Sequence, residues 1–120
     1  MGVCNLHDVA EVCFDHFTSP YCLVSHSHIP FICHQSQGVE EFLRAPLDIP
    51  IPLGQERLIV NPGSVGQPRD GDPRASYTIY NTEENSMEFR RVGYDLVVTQ
   101  EKIRLAGLSE LLADRLEHGR

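Results

Sequence analysis

The sequence predicts a mixed α/β fold that corresponds to half of a layered sandwich, and three observations support this prediction. Two short apolar runs, residues 21–24 and 58–60, have the character of buried strands. Two segments, 76–81 and 87–94, flank a polar turn and are typical of an antiparallel pair. Two helical patterns follow them, so helices and strands occur in an order that suits half of a layered fold better than a complete small one.

The first part of the chain predicts a helix followed by a short strand. Apolar side chains recur at helical spacing in residues 7–17, and Pro20 follows this segment. The stripe consists of Val9, Val12, Cys13 and Phe17. The run 21–24 then delivers the next residues to the C-terminal end of a strand, where α/β sheets commonly place their chemistry. Pro30 prevents that strand from continuing, so residues 31–33 are predicted to form a short return strand.

Residues 35–54 are compatible with two local structures. Val39, Phe42 and Leu43 suit one helical turn, whereas the three prolines that follow them force an extended path. The next apolar run, 58–60, predicts a second buried strand that ends at a Pro-Gly pair.

The C-terminal part of the chain predicts two helices. Asp95 or Thr99 can cap a first helix that ends at Gly107. Ser109 can cap a second helix that ends at Gly119. The inner stripe of the second helix is predicted to consist of Leu108, Leu111, Leu112 and Leu116.

Composition narrows the classes of partner and location. Ten basic and 17 acidic side chains give a net charge of −7, which opposes general binding to nucleic acid or to an anionic membrane. The sequence contains no run of the roughly 18 to 20 apolar residues that span a bilayer, and its first residues lack the features of a signal peptide. The four cysteines form no Cys-x-x-Cys pair and are expected to be reduced. We therefore expect a single cytoplasmic domain over residues 1–120.

The most specific chemical feature is the motif His26-Ser27-His28 after the first predicted strand. In extended backbone, residues two apart point to the same side, so both imidazoles could converge on one metal cluster. Neutral imidazole suits Zn, Mn, Fe, Co or Ni. A pair of such ions could clamp a phosphate and activate a water for in-line attack. The alternative is that these are two surface histidines on a loop.

Residues 61–69, which read Asn-Pro-Gly-Ser-Val-Gly-Gln-Pro-Arg, form a second specific block with two interpretations. In the first, the block is structural, and Asn61 satisfies loop backbone groups beside the histidines. In the second, Ser64 or Arg69 contacts a substrate phosphate, since guanidinium matches phosphate geometry. The adjacent Asp70-Gly71-Asp72 is expected to be a turn, because the remaining positions of a calcium loop are missing.

A further group of metal-ligating residue types lies near the start of the chain. Five of the six histidines and all four cysteines occur within the first 34 residues. A single structural zinc bound by His26, His28, Cys33 and His34 is therefore conceivable, although this spacing matches no common zinc finger.

Both specific blocks resemble motifs of the calcineurin-like metallophosphoesterases, in particular the small bacterial and archaeal phosphodiesterase branch. Residues 22–30, Cys-Leu-Val-Ser-His-Ser-His-Ile-Pro, resemble the family's apolar strand followed by Gly-His-Thr/Ser-His. Residues 58–77 resemble its Asn-Pro-Gly-Ser strand end and the following hairpin. Residues 89–95 and the two closing helices resemble its usual ending. The resemblance covers about residues 21–120.

The resemblance implies a fold and an activity. The implied fold is the C-terminal half of a four-layer αββα sandwich, with a mixed sheet, two C-terminal helices and a two-metal centre at the strand ends. By motif position, His26 would be a ligand of the second metal ion and His28 a ligand of the first. The implied activity is metal-dependent hydrolysis of phosphodiester or phosphomonoester bonds without a covalent enzyme intermediate.

The chain departs from the family pattern at two places. Ser25 stands where the family has Gly. The family's Asp-x-His, its Gly-Asp with the bridging aspartate, its Gly-Asn-His and one later histidine have no counterpart here. The chain is therefore expected to be a truncated product, a fragment or the result of a misplaced start, with no more than trace activity by itself.

Three hypotheses about function follow. The chain is part of a phosphoesterase that acts on a phosphoester substrate, or a non-enzymatic remnant that oligomerises, or a small metal-binding module built on the histidines and cysteines. Half a sandwich leaves a sheet edge and an apolar face exposed. The expected protein partner is therefore a second copy of the chain or the missing N-terminal half.

Overall fold

The computed structural model describes residues 6–120, with side chains described from Val9 onwards. Cys4 and the side chain of His7, which belong to the histidine and cysteine group, lie outside the described residues. The elements in chain order are α1 (Leu6–Asp15), β1 (Tyr21–Leu23), β2 (Phe31–Ser36), β3 (Val39–Arg44), β4 (Ile51–Pro52), β5 (Arg57–Asn61), β6 (Ala75–Asn81), β7 (Ser86–Val92), α2 (Leu96–Leu105) and α3 (Glu110–Glu117).

The described strands form two sheets. Sheet A has the order β1-β5-β2-β3, in which β1 runs parallel to β5 while β2 runs antiparallel to β5 and to β3. Sheet B has the order β4-β7-β6 and is antiparallel. The predicted mixed α/β fold with two C-terminal helices is confirmed.

The position of β5 determines the course of the chain near the histidines. β5 lies between β1 and β2, which are consecutive in sequence. The connection between those two strands must therefore cross over the end of β5, where Asn61 is the last strand residue. We call residues 25–30 the histidine loop and residues 61–69 the asparagine loop. The sheet order brings these two loops together.

Two apolar clusters hold the layers together. Ile32, Leu58 and Val60 of sheet A pack with Met87 and Phe89 of sheet B. On the other side of sheet A, a second cluster joins that sheet to helix α1 and consists of Ala10, Phe14, Cys33 and Ile59. Helix α1, sheet A and sheet B therefore form three successive layers.

Of the two local structures compatible with residues 35–54, the helical turn at residues 39–43 does not form, because this segment is strand β3. Ser36 pairs with Val39, so only Gln37 and Gly38 form the turn between β2 and β3. Their φ angles are 52° and 78°, as a two-residue turn with left-handed residues requires. The left-handed turn reverses the chain directly into a second strand. The spacing of Val39, Phe42 and Leu43 did not indicate this strand.

Helix α1 is rotated relative to its predicted stripe. Val9 and Val12 are exposed, whereas Ala10 and Phe14 are buried against sheet A. The buried stripe follows the i, i+3, i+4, i+7 spacing of a helix face and consists of Ala10, Cys13, Phe14 and Phe17.

The C-terminal helices pack on each other through a partly polar contact. Asp95, one of the two predicted caps, accepts a hydrogen bond from the Val98 amide at 3.0 Å. The inner stripe predicted for α3 is wrong at Leu108 and Leu111, which are 54% and 69% exposed. Ala113 and Leu116 are the buried residues of α3.

The partner of α3 explains this difference. Gln100 of α2 is buried, and its Nε2 donates to the Ala113 carbonyl at 3.0 Å. The side of α3 that faces α2 is therefore the one that carries Ala113. In the part of the chain that the structure describes, no helix has the length and apolar character to cross a membrane.

Candidate functional site

The histidine loop has an unusual backbone. His26 and His28 have φ angles of 51° and 60°, so both lie in the left-handed region, and the expectation of extended backbone is wrong here. A left-handed conformation costs a non-glycine residue roughly 1–2 kcal/mol. His26 is exposed and His28 is partly buried. Strained non-glycine residues of this kind persist only where surrounding contacts hold them, and they cluster at functional sites.

Asn61, at the end of β5, supplies hydrogen bonds that hold this loop. Its Nδ2 donates to the Ser25 carbonyl at 2.6 Å and to the Ser27 hydroxyl at 2.9 Å. Its Oδ1 accepts from the Gly63 amide at 2.9 Å. A hydrogen bond contributes a net of roughly 0.5–1.5 kcal/mol. The two bonds to the histidine loop are therefore comparable in size to the conformational cost of His26.

His28 is held from the other side by the asparagine loop. Its Nδ1 lies 2.8 Å from the Gln67 carbonyl oxygen, and its own carbonyl accepts from the Arg69 amide at 3.3 Å. A carbonyl oxygen can only accept, so Nδ1 carries the proton. In the neutral ring, Nε2 then keeps its lone pair. This is the arrangement by which a second partner orients a metal-binding histidine.

The asparagine loop is itself rigidly built. Gly63 has a φ of 84°, and a Cβ at this position would lie 2.5 Å from the Ser76 hydroxyl oxygen. That hydroxyl donates to the Pro62 carbonyl at 2.7 Å. The Ser64 hydroxyl accepts from the Gln67 amide at 2.9 Å. These contacts support the structural interpretation of the block.

Arg69 and Ser64, the candidate substrate contacts, lie on the asparagine loop. Arg69 is exposed, and its Nη2 donates to the Gln67 side-chain oxygen at 2.9 Å. A guanidinium has five donors and a hydroxyl can donate as well as accept. Their contact with a substrate phosphate stays a prediction.

The two imidazoles fit the role of metal ligands as part of a larger set. The Nε2 lone pair of His28 suits a divalent transition metal, and exposed His26 is two residues away. Among the side chains described from Val9 to Arg120, no three His, Cys, Asp or Glu residues are grouped closely enough to hold a metal ion. The role of His26 and His28 as metal ligands stays a prediction.

The four-residue zinc grouping is not assembled in the structure. Cys33 and His34 are consecutive in β2 and therefore point to opposite faces of sheet A. Cys33 is fully buried in the cluster with α1, and burial raises the pKa of its thiol to about 11. His34 lies instead between two carboxylates, with its Nε2 3.1 Å from Glu41 and its Nδ1 3.2 Å from Glu56.

Residues 70–74, which we call the carboxylate turn, follow the asparagine loop directly. Arg91 is almost completely buried and forms an ion pair with Asp70. Arg74 contacts Asp72 with its Nη2 at 2.6 Å from Oδ2. The hydrogen bond from Arg74 lowers the pKa of Asp72 to about 2. The prediction of a turn rather than a calcium site is consistent with these carboxylates being paired with arginines.

An apolar cleft of about 240 Å³ opens beside the histidine loop. Its floor lies between α1 and sheet A, and Ser25, His26 and Ser27 form one wall. The cleft places His26 at the edge of an apolar surface rather than in open solvent on all sides.

Sequence reasoning did not anticipate the role of Gln67. Its contribution to His28 is a backbone carbonyl, which leaves no signal in residue type. The role of the Ser27 hydroxyl was also missed, because in extended backbone the residue between His26 and His28 would point to the opposite side from them. The presence of Asn61 directly after the apolar run 58–60 was the one signal that could have identified this contact.

The fold and the site thus define a class of protein: a mixed α/β domain with a histidine pair beside the end of a sheet. No family model matches the chain. Its structure is similar to the crystal structure of a metallophosphoesterase from Sphaerobacter thermophilus, with a TM-score of 0.85 and 37% sequence identity. That match covers 93% of this chain and 47% of the other. An uncharacterized protein of Methanocaldococcus jannaschii is 42% identical over 98 residues.

The similarity to the Sphaerobacter metallophosphoesterase confirms the resemblance that the two motifs predicted. The chain has the fold of a metallophosphoesterase over about half the length of such a protein. The match to the Methanocaldococcus relative covers 81% of this chain and 38% of that protein.

Proposed function

We propose that this chain is the C-terminal part of a metal-dependent phosphoesterase that hydrolyses phosphodiester or phosphomonoester bonds. The observation that carries the proposal is the orientation of His28, whose Nδ1 is bound to the Gln67 carbonyl so that Nε2 is left as a ligand. Similarity to the Sphaerobacter metallophosphoesterase supports the class of reaction.

His26 and His28 would hold divalent ions of a dinuclear centre, His26 on the second ion and His28 on the first. Mn, Zn, Fe, Co or Ni are the candidate ions, and such ions supply an activated water and charge stabilisation for phosphoester cleavage. Ser64 and Arg69 would orient the substrate, since a guanidinium can bond two phosphate oxygens at once. The cleft beside His26 would exclude water from one side of the site.

The proposed protein partner is the N-terminal half of such a sandwich or a second copy of this chain. The radius of gyration is 16.4 Å, larger than the roughly 14 Å of a compact domain of this length. The edge strand β1 ends at Leu23, which is 67% exposed, and Val12 of α1 is 58% exposed. Apolar groups on an open edge favour association. Cys13, Cys22 and Cys33 are free, which accords with a proposed cytoplasmic location.

A complementation assay tests the enzymatic proposal. The 120-residue chain is mixed with the part of the Sphaerobacter metallophosphoesterase that it does not match, and hydrolysis of bis(p-nitrophenyl) phosphate is measured with Mn²⁺. We expect only trace turnover from the chain alone and clear turnover from the pair. His28→Ala is expected to remove that turnover, whereas His118→Ala, an exposed histidine beyond α3, should retain it. Turnover that survives His28→Ala would refute the proposed role.

Association is tested separately by light scattering on the purified chain. A dimer or larger species is expected, and Leu23→Lys should shift it towards monomer by placing a charge on the open edge of sheet A. Exposed Leu105 of α2 provides a control, since Leu105→Lys lies away from that edge. A wild-type chain that is monomeric and compact would argue against the partner proposal.

A further inference from the structure

We propose that Asn61 is a positioning residue that sets the directions of both imidazoles by holding the histidine loop from below. The consequence of this role for metal binding rests on the proposed function, whereas the effect of Asn61 on the histidine loop does not. The proposal stands on the topology of sheet A, the burial of Asn61 and the hydrogen bonds of its amide group.

The strand order of sheet A determines where Asn61 lies relative to the histidine loop. Asn61 is the last residue of β5, the strand over whose end the histidine loop must pass. Asn61 is fully buried, and a buried amide is unfavourable unless its polar atoms find partners. Its Nδ2 donates to two groups of the histidine loop and its Oδ1 accepts from its own loop. The amide therefore joins the two loops.

The contacts lie on both sides of one strained residue. Asn61 binds the carbonyl of Ser25 and the hydroxyl of Ser27, which flank His26 at φ 51°. The Ser27 amide also lies 2.6 Å from the Ser25 carbonyl, which closes a tight turn around His26. Fixing the groups before and after His26 leaves its backbone little freedom. Without the amide donor of Asn61, the left-handed turn loses hydrogen bonds that stabilise it.

The same contacts affect His28. Ser27 directly precedes it, and the Ile29 amide donates to the Ser27 hydroxyl at 3.4 Å. The alignment of His28 Nδ1 with the Gln67 carbonyl depends on where this part of the loop lies. If the loop relaxes, that hydrogen bond is no longer enforced, and the ring is free to place its proton on either nitrogen.

Asn61→Asp separates this role from a merely structural one. The substituted side chain keeps an oxygen for the Gly63 amide but replaces the donor to the histidine loop with a second acceptor. Asn81→Asp is the matched control, because Asn81 also ends a strand and accepts from the amides of Glu83 and Glu84 with its Oδ1. That turn lies at the far end of β6 from the asparagine loop.

The first readout is nuclear magnetic resonance on the 120-residue chain without metal. Long-range proton–nitrogen spectra report the tautomer of each imidazole, and a strong intra-residue amide-to-α-proton contact reports a left-handed residue. We expect His28 in wild type and in Asn81→Asp to carry its proton on Nδ1. In Asn61→Asp, a mixture of tautomers and loss of the left-handed signal at His26 are expected. Unchanged signals at both histidines would overturn the proposal.

A second variant covers the case in which Asn61→Asp does not fold. Ser27→Ala removes one acceptor of the Asn61 amide at a partly buried position that needs no new cavity. We expect the same change at His26 and His28, to a smaller extent. If the amide spectrum of Ser27→Ala is native and its histidine signals equal those of wild type, the proposal is likewise overturned.

The metal arm uses Ni²⁺ alone, followed through the His26 and His28 resonances. Loss of a group that orients ligands lowers metal affinity roughly 10- to 100-fold, and we expect a drop in this range for Asn61→Asp but none for Asn81→Asp. Equal Ni²⁺ affinity in all three proteins would refute the consequence for binding. If wild type binds no Ni²⁺ at these histidines, the proposed function fails, while the tautomer readout still decides the role of Asn61.

Discussion

The asparagine loop and the carboxylate turn are adjacent in sequence but use opposite kinds of interaction. The asparagine loop holds the histidine loop with the Asn61 side-chain amide and with backbone groups, and the Nε2 of His28 has no hydrogen-bond partner among the described residues. The carboxylate turn places Asp70 and Asp72 against Arg91 and Arg74, so its charges neutralise each other within the chain. The first region fixes the orientation of an imidazole, whereas the second pairs opposite charges within the chain.

Removal of Arg91 should produce the largest effect on stability. Arg91→Met leaves the largely buried Asp70 without its cation, whereas Asp72 keeps Arg74, and breaking a buried pair in this way costs roughly 3–5 kcal/mol. Urea unfolding measures this change. Arg90→Met is the matched control, because Arg90 is exposed beside Glu88 and such pairs contribute at most about 1 kcal/mol. Equal losses in the two variants would contradict the contrast between the regions.

Gly63→Ala should destabilise the asparagine loop and disturb the histidines together. The added Cβ would meet Ser76 at 2.5 Å in left-handed backbone, so we expect a loss of about 2–4 kcal/mol. Gly66→Ala is the control in the same loop, since nothing lies within 4 Å of a Cβ there and its backbone is not left-handed. A Gly63→Ala chain with native stability and native histidine resonances would show that the close approach to Ser76 has no role.

His28→Ala should separate metal binding from stability. Loss of a ligand is expected to weaken Ni²⁺ binding at this site by at least about 100-fold, the upper end of what an outer partner contributes. Without metal, unfolding should change by only about 1 kcal/mol, since the Gln67 carbonyl loses one hydrogen bond. Isothermal titration and urea unfolding measure the two quantities. A large loss of stability without a loss of affinity would reverse the assignment.

The carboxylate turn should also make stability depend on acid. The hydrogen bond from Arg74 lowers the pKa of Asp72 to about 2 from its ordinary 3.8, so the native chain binds this proton less readily than the unfolded chain. The contribution is complete above about pH 4 and is lost as the pH falls towards 2. Because Arg74 is half exposed, solvent screening reduces its size to about 1 kcal/mol. Asp72→Asn should flatten the unfolding free energy between pH 4 and 2, and an unchanged slope would contradict this cause.

Much of the fold could be predicted from local pattern. The buried strand β5, the β6–β7 pair and the cap at Asp95 all follow from apolar runs, alternation and a short acidic side chain. Strand β3 could not be predicted, because its identity depends on a left-handed turn and on pairing with β2. The exposed face of α3 could not be predicted either, since its buried partner is the polar Gln100.

The site was only partly predictable for a related reason. His26, His28 and Asn61 were identifiable as side chains in two specific motifs. Their geometry was not, because left-handed backbone at both histidines is imposed by contacts with residues more than 30 positions away. A backbone carbonyl such as that of Gln67 is common to every residue type, and only the folded chain shows which one is used.

The insertion of β5 between β1 and β2 also has a consequence for the order of folding. The histidine loop joins β1 and β2, which do not pair with each other. The strand between them, β5, begins about 35 residues after β1 in sequence. Pairing between strands far apart in sequence forms more slowly than a local hairpin such as β6–β7, because the entropy of closing the long loop must be lost first. The two histidines therefore acquire their final directions only after the sheet has closed, so the geometry of this pair is a property of the native chain alone.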